Sequence, residues 1–154
     1  MINPAVIKEA FSRKELENIA EQEALLQDVD PNLVKAIISR ESSWRPNAVS
    51  KTGNVGLMQL GTLAALETGV KNRYDPKENI RGGISYLKRM LSRLGGDETE
   101  ALAAYHLGPT RVARSKMWSR RAKNYISEVQ SEARLRAFGE KAFGFSKWER
   151  VRGA

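Results

Sequence analysis

The chain has 154 residues, 41% of them hydrophobic and 29% charged, a length and balance that suit one compact domain with its own core. It contains no cysteine, which excludes a disulfide framework, a thiolate metal site and a cysteine nucleophile. The net charge is +8 and lies in the last third: residues 110–154 carry twelve basic and four acidic side chains, whereas residues 1–109 balance at fourteen of each. Such a surface suits an anionic partner, whether nucleic acid, an acidic membrane face or an acidic wall, or else is a solvated helix face.

In chain order, Met1-Ile2-Asn3-Pro4 offers neither the basic start nor the apolar run of a secretory signal, so none is expected in this sequence. Ser12-Arg13-Lys14-Glu15 reads as a capping box, with Leu16, Ile19 and Ala20 at helical spacing behind it, predicting a helix over 12–26. Asp30-Pro31 supplies a cap acceptor and a proline for the next helix start, followed by the stripe Leu33, Val34, Ile37 and Ile38. Residues 45–61 break the pattern with Pro46, Gly53, Gly56 and Gly61, predicting a loop with a short hairpin near Thr52-Gly53-Asn54.

A short helix from Thr62 to Thr68, stopped by Gly69, comes next. Asp75-Pro76 repeats the cap-plus-proline start, and Ile80, Ile84, Leu87, Leu91 and Leu94 recur on one face up to Gly95-Gly96. Ala101, Leu102, Ala104 and Tyr105 form an alanine-rich segment fit for the middle of a bundle, ended by Gly108-Pro109. A last helix carries Ala122, Tyr125, Ile126 and Val129, and the tail from about Phe138 shows no periodicity. No run reaches the roughly 20 apolar residues that span a bilayer. The expected fold is mainly α, with a helical bundle and a short hairpin or loop region.

Glu41 stands out by position. It follows Ile37 by four residues and Leu33 by eight, so the stripe that points into the protein ends on a carboxylate. Such a group must be paired, protonated or facing a cleft, and desolvation would raise its pKa toward that of a general acid. Periodicity alone favours an ordinary helix-end glutamate, with Arg40 and Arg45 near enough to pair with it.

The following segments change that balance. Glu41-Ser42-Ser43-Trp44-Arg45-Pro46-Asn47-Ala48-Val49-Ser50, then Gly53-Asn54-Val55-Gly56-Leu57-Met58-Gln59-Leu60, resembles the E-S-x-(aromatic)-x-P-x-A-x-S and G-x-x-G-L-M-Q signatures of the soluble, goose-lysozyme-like (SLT-type) lytic transglycosylases. Asp75-Pro76 with Asn79-Ile80, Gly83 and Tyr86-Leu87 is similar to a further segment of that family, as are Ala103-Ala104-Tyr105 with Gly108-Pro109, and Asn124-Tyr125-Ile126 with Val129. These matches span roughly residues 30–130, flanked by the first helix and by a basic extension over about 131–154.

The resemblance implies a lysozyme-like α+β fold, here a single domain over 1–154, and cleavage of the bond between N-acetylmuramic acid and N-acetylglucosamine. Glu41 would be the sole acid/base and the muramyl C6 hydroxyl the nucleophile, leaving a 1,6-anhydro end. It further implies substrate contacts from Ser50, Met58, Gln59, Tyr105 and Tyr125, with the Tyr105 hydroxyl near the glutamate; His106 joins the expected contacts only because it stands beside Tyr105. Without it, Ser50 is a turn residue, Gln59 a loop-to-backbone bond, Tyr105 a core aromatic and Tyr125 a stripe residue. Three positions depart from the family pattern. Gly61-Thr62 replaces Met-Pro, His106-Leu107 replaces Asn-Ala, and Arg121-Ala122 replaces Glu-Thr. His106, the single histidine, is structural or touches substrate.

No metal or cofactor is expected. The expected partners are peptidoglycan glycan strands and a secretion-system or wall-assembly protein, with the chain a monomer in the periplasm, secreted or at the wall. Residues 111–123 carry six basic and no acidic side chains, but lack a nucleic-acid motif, so wall affinity is the expected use of this charge. Two other functions compete: a lysozyme that uses water, which requires a second carboxylate (Glu67 and Asp75 read as a surface residue and a cap), and a non-catalytic glycan-binding or scaffold protein.

Overall fold

The computed structural model describes residues 11–143, apart from the side chain of Phe143. Among these, seven helices follow in order: α1 Arg13–Leu26, α2 Pro31–Ser42, α3 Thr62–Thr68, α4 Pro76–Arg93, α5 Glu98–Leu107, α6 Pro109–Arg114 and α7 Arg120–Phe143. Their starts obey local chemistry. Ser12 and Glu15 close the capping box on α1, with the Ser12 amide donating to the Glu15 carboxylate at 2.6 Å. Asp30, Asp75 and Asp97 cap α2, α4 and α5 by accepting from the amides of Asn32, Glu78 and Glu100.

Helix α5 is the centre of the bundle. Ala101, Leu102, Ala103 and Ala104 are all fully buried, four consecutive residues that face every direction. Only small side chains let neighbours approach a helix on all sides, and α4, α6 and α7 pack on it. Helix α2 packs between α1 and α7, with Val34, Ile37 and Ile38 fully buried. A satellite cluster of Leu60, Ala64, Ala65 and Val70 is joined to the main core by Tyr86.

The structure gives two expectations their detail. The short hairpin region of the central loop consists of isolated antiparallel bridges, Val49 with Val55 and Val55 with Leu60, closed by the Ser50 amide donating to the Asn54 carbonyl at 2.9 Å. As far as Phe143, the basic extension expected from residue 131 is helical and forms the second half of α7. It escaped the periodicity test because Leu135 and Phe138 are exposed, at 71% and 72%, and so lie on no buried stripe. An i,i+4 pair between Arg136 and Glu132 at 2.9 Å supports this half, and Asn32 of α2 donates to Glu140 at 3.1 Å. The rest of the tail, residues 144–154, lies outside the described residues. No described helix is long and apolar enough to cross a membrane.

Candidate active site

Helix α2 ends abruptly. Ser43 and Trp44 both have positive φ, 50° and 62°, a left-handed pair that costs on the order of 1–3 kcal/mol per residue unless the surroundings enforce it. Here they do. The Trp44 indole is 6% exposed, donates to Ser39 Oγ at 2.9 Å and lies under the Arg13 guanidinium, 4.2 Å from its ring centre. The turn therefore leaves Glu41 on the last turn of α2, at the floor of a cleft of about 780 Å³.

Glu41 has no cation partner among the described residues. Arg40 pairs with Glu128 of α7 and Arg45 donates to the Ser42 carbonyl, so neither neighbour acts as the expected counter-ion. Its hydrogen-bond partner is Tyr125 of α7, whose hydroxyl donates to Oε1 at 2.7 Å. Burial pushes the carboxyl from its ordinary 4.5 up to about 7, with the Tyr125 bond opposing only part of the rise. Tyr125 in turn is stacked on His106, ring centres 4.3 Å apart and 17° from parallel. Burial and the nearby Arg121 push the His106 imidazole down, which favours its neutral form.

The opposite wall comes from the loop. Ser50 Oγ accepts from the Asn54 amide at 3.0 Å and lies 3.1 Å from Thr52 Oγ1. Gln59 sits at φ 52° and spends both amide hydrogens on loop carbonyls, Ala48 at 3.1 Å and Gly56 at 2.9 Å. Its carbonyl oxygen remains as an acceptor at the cleft surface. A buried asparagine fixes this loop. Asn79 of α4 accepts from the Met58 amide at 2.8 Å and donates to the Val55 and Arg73 carbonyls. Gly56 permits the arrangement, since its φ is +86° and a Cβ there would lie 2.2 Å from Asn79 Nδ2.

The cleft thus gathers Glu41, Ser50, Gln59, Tyr105, His106 and Tyr125. Met58 is the correction. Its side chain is fully buried, and a Cβ at Gly83 would lie 2.4 Å from its sulfur, so it packs under the loop and does not line the cleft. Tyr105 is nearer to its structural reading than expected. Its hydroxyl donates to the Met58 carbonyl at 2.7 Å, and the tyrosine bonded to the glutamate is Tyr125. The charge of Glu41 still helps to raise Tyr105, after burial. Sequence reasoning missed Glu128, Arg120 and Asn124 as lining residues. Asn124 carries a signal only as part of the Asn124-Tyr125-Ile126 motif, and the other two show no pattern along the chain. Glu67 and Asp75 lie elsewhere, paired with Arg89 and capping α4. Among the described residues, no group of three or more His, Asp or Glu side chains converges as metal ligands do.

Comparison with known proteins meets this geometry. The family described as the transglycosylase SLT domain matches residues 18–127, a span that includes every cleft residue expected from the sequence. The chain belongs to the SLT transglycosylase family. It is 41% identical over 108 residues to a transglycosylase of Enterobacteria phage PRD1, covering 70% of this chain and 39% of the phage protein. It is 46% identical over 87 residues to membrane-bound lytic murein transglycosylase F of Yersinia pseudotuberculosis, covering 53% of this chain and 18% of that protein. The SLT chain therefore spans well under half the length of these relatives. Its fold matches that of an inactive mutant of lytic transglycosylase Slt from Pseudomonas aeruginosa, with TM-score 0.71, 23% identity and coverage of 90% of this chain and 28% of that one. The 70 kDa soluble lytic transglycosylase of Escherichia coli matches with TM-score 0.70, 22% identity and coverage of 79% and 24%. The second half of α7 continues beyond the family match.

Proposed function

We propose that this SLT domain is a peptidoglycan lytic transglycosylase acting at the cell wall, with Glu41 as its single acid and base. The observation that carries the reading is the state of that carboxyl. It is desolvated in a cleft, held by one tyrosine hydroxyl and poised at about 7, so near neutrality both of its protonation states are populated. A group that must give a proton and then take one back works best when its pKa lies near the operating pH.

In the first step Glu41 gives its proton to the oxygen of the bond between N-acetylmuramic acid and N-acetylglucosamine as that bond breaks. In the second, the muramyl C6 hydroxyl attacks C1 and its proton returns to Glu41. The ring closes as a 1,6-anhydro end, no water is consumed, and the enzyme regains its starting proton. Tyr125 holds the carboxylate between the steps. Gln59, through its free carbonyl oxygen, and Ser50 are assigned to the glycan on the loop wall, while Tyr105 keeps the loop and α5 together. His106 supports the Tyr125 ring and faces the ligand.

Hydrolysis is the competing reading, and Glu128 is the observation that favours it. Glycosidases that use water employ two carboxyl groups, and Glu128 is a second carboxylate on the cleft wall. Its pairing with Arg40 makes it a strut between α2 and α7. Mass spectrometry of soluble fragments released from sacculi separates the two. Fragments one water lighter than the hydrolysed form, absent with Glu41→Gln and retained with Glu128→Gln, are expected. Hydrolysed products that vanish with Glu128→Gln would overturn the transglycosylase reading.

A further inference from the structure

The two walls of the cleft differ in charge. The loop wall presents neutral groups, with Ser50, Thr52, Asn54 and Gln59 facing the cavity. The α7 wall presents Arg120 and Arg121. Neither forms an ion pair among the described residues, whereas the third cleft arginine, Arg40, is already neutralised by Glu128. The two guanidiniums also stand where the helix disfavours them. They are the first residues of α7, whose first turn holds no acidic side chain, and the positive end of a helix repels cations. Their placement therefore does not serve the helix. Both are exposed, so they serve no core either.

We propose that Arg120 and Arg121 form an anion subsite that takes a carboxylate of the peptide attached to the muramyl residue, so that charged stem peptides are preferred on the glycan delivered to Glu41. The proposal rests on the glycan-cleaving reading above. In that substrate the sugar chain offers hydroxyl and acetamido groups, which match the neutral wall, and the negative charge sits on the peptide, which matches the cationic wall. A guanidinium is a planar fork suited to a carboxylate, and two adjacent forks select for charge and geometry together. The overall basicity of residues 110–154 draws the protein toward any anionic surface, but among the described residues of that stretch Arg120 and Arg121 are the cations that line the cleft with Glu41.

The test uses soluble glycan oligomers bearing stem peptides, so that adsorption to sacculi plays no part. One batch keeps its carboxylates and a second has them converted to neutral amides with carbodiimide and ammonia. On the charged batch, the double variant Arg120→Gln/Arg121→Gln should lose about tenfold in kcat/KM, mostly through KM, as expected for exposed charge-assisted bonds. On the amidated batch, wild type and variant should converge. Arg120→Lys/Arg121→Lys should recover part of the loss, and Arg114→Gln, an exposed arginine outside the cleft, should match wild type on both batches. An independent readout is the NMR titration of His106 in the Glu41→Gln background. A charged fragment should raise its pKa in the presence of both arginines and leave it unchanged in the double variant. An equal loss on both batches, or no loss on the charged one, would overturn the subsite. Products lacking anhydro ends would instead overturn the transglycosylase reading, and would leave the charge preference standing.

Discussion

The burial of Glu41 makes a prediction about stability that is separate from catalysis. The folded carboxyl titrates at about 7 and an ordinary glutamate at 4.5. At 1.36 kcal/mol for each pH unit, this difference corresponds to a cost of about 3 kcal/mol for ionising Glu41 in the folded protein. The sign follows from proton binding. Between 4.5 and about 7 the folded state holds the proton that the unfolded chain has released, so stability falls as pH rises through this window and is level above it. Glu41→Gln removes the titration and keeps an oxygen to accept from Tyr125. Relative to wild type, the variant should gain little at pH 4 and up to about 3 kcal/mol at pH 8.5, or roughly 6–12 °C in Tm for a domain of this size. Part of the carboxyl faces cleft water, which makes this an upper figure. Urea unfolding of both proteins across that pH range measures it. A variant effect that does not change with pH would refute the account of Glu41 as a desolvated, unpaired carboxyl.

Other expectations follow from the same contacts. The alkaline limb of kcat/KM should fall with an apparent pKa near 7, and Tyr125→Phe, which deletes the bond that opposes the burial effect, should move that limb upward while lowering the rate; rates of fragment release against pH check both. Arg121→Gln should raise the pKa of His106 but leave it below 6.5, because burial is the larger cause of its depression; the single histidine makes the NMR titration unambiguous. Asn79→Leu should cost at least about 2 kcal/mol in urea unfolding, since it orphans the Met58 amide and the Arg73 carbonyl and leaves the Val55 carbonyl only its bond from the Leu60 amide, at ~1–3 kcal/mol for each buried group left unpaired. Gly56→Ala should produce a similar loss, from its positive φ and from the contact with Asn79 Nδ2. Retention of wild-type stability by either variant would contradict the clamp between α4 and the loop.

Much of this molecule is local chemistry, and local chemistry can be read from the chain. Caps such as Ser12, Asp30 and Asp75, stop signals such as Gly69, and the stripe Leu33-Ile37-Glu41 depend on spacings of three and four residues that any helix enforces. The family motifs extended that reading to the gathering of Glu41, Ser50, Gln59, Tyr105 and Tyr125. What the chain could not give was distance between segments. Periodicity does not say that Tyr125, 84 residues away from Glu41, donates to it while Tyr105 turns to the Met58 carbonyl. Nor does it say that Met58, inside a site motif, lies wholly under the loop. The basic excess was countable, but only the packing of α7 against α2 and α5 brought Arg120 and Arg121 to the cleft wall, where Arg40 is already paired with Glu128. Side-chain composition set what each helix could bury; the docking of helices set which polar groups were left to meet in the cleft.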